Sequence, residues 1–229
     1  MDNRKTWTRQ QNQLRKFLSS KVHFEEAIQL FLAQHAAVHT AAISGGQAWS
    51  LQDDALADLA DEQIKTCLRP GTNSIAWLLW HTTRIEDMTI NYLVFGQPQI
   101  LMGADWASRL GFKLRDVGAG MDDAEVANFS QQVFVPALKD YRAAVGQSTR
   151  AGVLRLQAPQ LKENVPDEAV RQLVEEGSIS AKAGWLADFY TGRTKGFFLT
   201  RTATSHNFIH INEASRVRAR LLQAGGRNR

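Results

Sequence analysis

Apolar residues recur at intervals of three to four along most of this chain, and no sustained two-residue alternation appears. That period places side chains on one face of a helix, so the sequence predicts an all-α fold. Four long helical segments stand out. The first is expected over Val22–Ile43, where Phe24, Ile28, Phe31, Leu32 and His35 share a stripe and Ser44-Gly45-Gly46 ends it. The second begins behind Asn73 as N-cap and runs to about Phe95, before Gly96 and Pro98. Its roughly 22 residues make a rod of about 33 Å. Pro136 suits the first turn of a third, to about Leu156, and Thr194 caps a fourth, Gly196 to about Gln223, which Gly225-Gly226 would terminate.

The connections are long and carry short helices of their own. One is expected between Asp53 and Ile64, one near Asp105–Leu110, one behind the capping box of Asp122 and Glu125, and one from Pro166 to Glu176. With 229 residues and 44% apolar composition, the chain can bury a core without covalent staples. The single cysteine, Cys67, excludes an internal disulfide and fits a reducing compartment. No apolar run is long enough to span a bilayer and the first residues lack a secretory core, so a cytoplasmic location is expected.

The net charge of +4 is unevenly spread. Six cations against Asp2 put residues 1–21 at +5, which leaves the rest at −1. The reading is therefore a basic N-terminal arm, residues 1–21, on a near-neutral domain, residues 22–229. A second basic cluster, Arg216, Arg218, Arg220, Arg227 and Arg229, complements a helix C-terminus. No basic stripe interleaves the aromatic residues of the central and later helices, so a nucleic-acid partner is not expected.

Chemistry concentrates in the six histidines. His206 and His210 are four apart on a predicted helix and reach toward one point. Two ligands do not make a tight site, and a third has to come from another helix. His81 qualifies, because its own face, with Trp77, Ile85 and Met88, is mainly apolar and a buried imidazole needs a partner. Three histidines with one position open is the pattern of a catalytic metal site. Glu213, three residues after His210, is placed to orient a histidine or accept a proton, or else to pair with Arg216 or Arg84 at the surface. His35 and His39 form another such pair, open to three roles: a separate site, a ligand to the first, or hydrogen bonds within the core. Trp77, Trp80, Tyr92, Trp185, Phe189, Tyr190, Phe197 and Phe198 suit core packing, with a pocket wall as the sharper reading. No HExxH motif, ExxH pair or phosphate-cradling glycine loop occurs.

Two segments carry a family resemblance. The run NSIAWLLWHTTRIEDMTINYLV resembles the second helix of the DinB/YfiT-like superfamily, and FFLTRTATSHNFIHINEASRVRARLL resembles its last. The stretch RLGFKLRDVGAGMDDAEVANFS is similar to its connecting sequence, and the likeness spans most of residues 22–224. The resemblance implies an up-down-down-up four-helix bundle with a divalent metal ion, nickel, zinc or similar, held by His81, His206 and His210. It also implies a homodimer. Activities in such a family include S-transfer with low-molecular-weight thiols, so a metal-dependent transferase or hydrolase acting on a small molecule is one expectation. A non-catalytic bundle that binds a small ligand or partner in a stress response is the other, since fold does not fix function.

Overall fold

The computed structural model describes residues 3–226 apart from 19, 21, 47 and 104. Asp2, Lys21, Arg227 and Arg229 of the two basic clusters lie outside the described residues. Among these residues the structure is helical, with one isolated bridge between Asn164 and Thr194. In chain order the helices are α1 (Asn3–Leu18), α2 (Phe24–Val38), α3 (Leu51–Leu56), α4 (Asp61–Ile64), α5 (Ile75–Glu86), α6 (Trp106–Leu110), α7 (Asp123–Gln132) and α8 (Val135–Val153). They continue as α9 (Asp167–Glu175), α10 (Trp185–Tyr190), α11 (Lys195–Thr200) and α12 (Asn207–Gly226). Two of the long rods contain π-helical stretches. Asp87–Val94 prolongs α5, and Arg201–His206 joins α11 to α12.

Several predicted boundaries move by a residue or more. Ser74, not Asn73, caps α5, its hydroxyl accepting from the Trp77 amide. The first rod stops at Val38, because His39 turns to an extended conformation before a 3-10 turn over Ala41–Ser44. The last helix takes in Gly225 and Gly226, beyond the expected end near Gln223. Thr194 caps α11 and the Asp122–Glu125 capping box opens α7, as their side chains suggest.

α5 packs against α8 and α12, and α2 against α8, α12 and the Arg201–His206 stretch. α1 lies on α2 and α11, burying Trp7, Leu14 and Leu18, so these residues of the basic segment join the packed interior. Its Trp7 ring stacks on Phe208 with centroids 3.8 Å apart.

The interior is divided. One apolar cluster gathers Leu14, Phe31, Ile85, Met88, Val153, Phe198 and Ala203. Another gathers Leu78, Trp80, Leu138, Val145, Ile211 and Val217. Along α5, residues 81–84 separate the two. Along the last rod residues 204–207 do so, and along α8 residues 146–152. Those separating stretches carry buried polar side chains, among them Thr82, Thr83, Arg84, Thr149, Thr204 and Asn207. A polar belt thus crosses the core where burial alone would favour hydrocarbon, and every group in it needs a partner. Arg84, fully buried, bonds Asp87, Tyr141, Gln99, Ser178 and the Arg115 carbonyl. No helix among the described residues is long and apolar enough to cross a membrane.

Candidate metal centre

His81 leaves α5 at the edge of the belt, while His206 ends the π stretch and His210 follows one turn later. Their ring centroids stand 4.9 Å (His81–His206), 5.0 Å (His81–His210) and 4.6 Å (His206–His210) apart. One nitrogen from each lies within 4.8 Å of the others, a spacing suited to one ion.

Two of the rings have a defined tautomer. His81 Nδ1 is 2.7 Å from the Val117 carbonyl oxygen, which only accepts, so Nδ1 carries the proton and Nε2 keeps its lone pair. His210 Nδ1 is 3.2 Å from Glu213 Oε2, which sets the same tautomer. This is how the outer contacts of a metal-binding histidine fix its ring. Gly118 takes φ +75° beside Val117, and a Cβ there would approach Trp77 Nε1 to 2.9 Å. Glycine therefore lets this loop close down on α5. Trp77 stacks on His81, centroids 4.7 Å apart at 9°. His206 differs: its Nδ1 is buried with no hydrogen-bond partner.

The electrostatics suit a cation. Burial pushes His81 down to about 4, with the His210 imidazole adding to the effect and the Val117 carbonyl opposing it. Burial, then the His81 and His210 rings, hold His206 well below its ordinary value. Both are thus neutral near pH 7, the form that binds metal. The His210 hydrogen bond holds Glu213 below the usual carboxylate range against the opposing effect of burial, with Asn73 and Arg216 assisting. Arg84 is engaged inside the belt and is not a partner for Glu213.

His35 and His39 do not reach this centre. They meet Glu86, a residue that belongs to none of the motifs weighed in the sequence. Glu86 is fully buried. Its Oε1 accepts from His35 Nε2 (2.8 Å) and Thr149 Oγ1 (2.8 Å). Its Oε2 accepts from His39 Nε2 (2.9 Å) and Asn207 Nδ2 (2.9 Å). Burial opposes ionisation, but the His39 and His35 rings facing it and their donated hydrogen bonds hold Glu86 well below the usual carboxylate range. Burial takes His39 down to about 3 despite Glu86, so it donates as a neutral ring. Arg142, also buried, is lowered only to about 10 and stays cationic, bonding Gln52, Thr82, Thr83, Val38 and Asn207. Glu86 and Arg142 balance one another. The group has the spacing to hold a metal ion, yet all four acceptor positions on Glu86 are in use and its charge is matched.

No curated protein matches the chain at a significant level. A family model described as the DinB superfamily matches residues 46–190, more than half of the chain. That stretch contains His81 and Glu86 and ends before His206 and His210. By this match, this chain of helices belongs to the DinB superfamily.

Proposed function

We propose that this protein is a metal-dependent enzyme in which His81, His206 and His210 hold one divalent ion, nickel, zinc or a similar metal. The reading sets these residues in a four-helix bundle of α2, α5, α8 and the α11–α12 rod, connected up-down-down-up. The pairwise packing of those rods supports it. The observation that carries the metal assignment is the pair of Nδ1–H contacts, His81 to Val117 and His210 to Glu213, which leave both Nε2 lone pairs free beside His206.

Once bound, the ion supplies Lewis acidity at a coordination position that the three imidazoles leave open. The protein supplies the rest. Val117 and Trp77 hold the His81 ring, and Glu213 orients His210. Because its pKa is held down, Glu213 serves better as an anionic anchor than as a proton acceptor. His206 and His210 are less buried than His81, and the proposed approach of a small molecule is from their side. The proposed reaction is transfer of a low-molecular-weight thiol to an electrophile, with hydrolysis as the variant in which water takes the thiol's place. A homodimer is the proposed assembly.

The test is metal analysis of protein purified without a histidine tag, alongside His81→Ala. Close to one equivalent in the parent and a large loss in the variant supports the site. Consumption of a small thiol with an electrophilic acceptor, lost on chelation and restored by metal, supports the enzyme. Equal metal content in parent and variant refutes the assignment.

A further inference from the structure

Two of the three histidines are held by hydrogen bonds of their own, and the third is not. His206 Nδ1 has no partner, so no hydrogen bond at that nitrogen fixes this ring, and its placement leans on its backbone. That backbone is the π stretch Arg201–His206. A π turn takes in one extra residue and rotates everything after it by about 100° relative to an uninterrupted α-helix. Relaxation to α geometry would therefore carry His206, and His210 one turn after it, off the common point. π-helical turns are rare and persist where their surroundings hold them.

Here the surroundings clamp the stretch from two sides. On one side Asn207, next to His206, uses its whole side-chain amide. Nδ2 donates to Glu86 Oε2 (2.9 Å) and to the Thr202 carbonyl (3.0 Å), and Oδ1 accepts from Arg142 (2.8 Å). The bond to Thr202 ties Asn207 to a carbonyl five residues back, across the π turn itself. On the other side Gln11 of α1 donates to the Thr200 carbonyl (2.9 Å) and Ser205 Oγ (2.8 Å), and its Oε1 accepts from Thr204 Oγ1 (3.3 Å). Gln11 and Asn207 are both buried.

We infer that Asn207 and Gln11 are positioning residues for His206, holding the π turn that delivers its imidazole to the metal centre. The inference rests on the three-histidine reading above. It unites two otherwise separate features, because the Glu86–Arg142 network anchors Asn207 and the N-terminal helix brings Gln11.

The experiment uses the untagged full-length chain and cobalt(II) as probe, read by visible d–d absorption and by competition with a chromophoric chelator. Asn207→Ala and Gln11→Ala are compared with Thr149→Val, which also removes a buried hydrogen bond to Glu86 but touches nothing next to His206. Asn207→Ala and Gln11→Ala are each expected to weaken cobalt binding about 10- to 100-fold and to change the d–d spectrum, the size of effect seen when outer-shell partners are removed. Thr149→Val is expected to stay within about 2-fold of the parent, so loss of stability alone does not imitate the result. If Asn207→Ala does not melt cooperatively, Gln11→Ala decides by the same criterion. Affinities for both variants matching Thr149→Val overturn the positioning role and leave the metal site standing. A parent protein that binds no cobalt overturns the metal reading, and the inference with it.

Discussion

Replacing Glu86 with glutamine changes one atom and one charge at the centre of the polar belt. The carboxylate accepts four hydrogen bonds, two at each oxygen. Glutamine keeps one acceptor oxygen. Placed where Oε2 stands, it still accepts from His39 and Asn207. Its amide nitrogen then faces His35, which can switch tautomer, and the Thr149 hydroxyl, which can accept, so the neutral contacts are largely kept. Arg142 meanwhile remains a buried cation without its counter-charge. Hydrogen bonds to a charged group contribute about 1.5–3 kcal/mol each, and removing one partner of a buried charge pair costs about 3–5 kcal/mol. A loss of about 3–5 kcal/mol is therefore expected for Glu86→Gln, a large part of an ordinary domain's stability. Urea unfolding monitored by circular dichroism measures it, with Thr149→Val, at about 1.5–3 kcal/mol, as the single-bond comparison. A loss below about 1 kcal/mol for Glu86→Gln would mean that the belt is solvated or rearranged, and that its network is neither closed nor charge-matched.

Metal analysis is expected to give one equivalent per chain, and His35→Ala is expected to lower stability while leaving that stoichiometry unchanged; two equivalents would show that Glu86 releases its donors for a second ion. Acidification should destabilise the metal-free protein from about pH 6.5 downward. His39 is near 3 when folded against 6.5 as its ordinary value, so the unfolded chain binds the proton first. Urea midpoints that do not change between pH 7.5 and 5.5 would contradict this. Gly118→Ala forces a side chain onto a φ of +75° and against Trp77; it is expected to cost more than about 1 kcal/mol and to weaken cobalt binding about 10-fold through the Val117–His81 bond. Glu213→Gln, which keeps an acceptor for His210, should retain more metal affinity than Glu213→Ala, and equal losses would remove the orienting role.

What is legible in the sequence is whatever a local period or cap encodes. The long rods, the Asp122–Glu125 capping box and the Thr194 cap are written in neighbouring residues, and the structure has them. His206 and His210 share a face by spacing alone, and His81 stands out as a polar ring on an apolar face. The π stretches are not legible, because their hydrogen bonds depend on tertiary partners such as Gln11, 189 positions from Thr200. Glu86 is hidden for a related reason. Charged residues close together on a helix normally mark a solvated side, and Arg84, Glu86 and Asp87 are buried because this part of the rod is enclosed on every face. The signal for it lies in the rod Ile75–Val94 as a whole, where the polar residues 81–84, 86 and 87 fall between apolar turns at the two ends.

The same enclosure bears on why the belt exists. A core that continued its apolar clusters through residues 82, 86, 142 and 207 would avoid burying an anion and a cation, and hydrophobic replacements of buried charge pairs are often neutral or stabilising. Stability alone therefore gives no reason for Glu86 and Arg142. Geometry does. Apolar side chains pack with little directional preference, whereas the Asn207 amide is satisfied in one orientation only, with Glu86, Arg142 and Thr202 each at a fixed place. His206 is the one histidine of the three without a bond of its own, and it is the one adjoining this network. A substitution that replaced Glu86, Arg142 and Asn207 together by well-packed hydrocarbon should thus recover most of the stability lost in Glu86→Gln. It should not recover the cobalt affinity, because Gln11 alone would then oppose the return of residues 201–206 to α geometry.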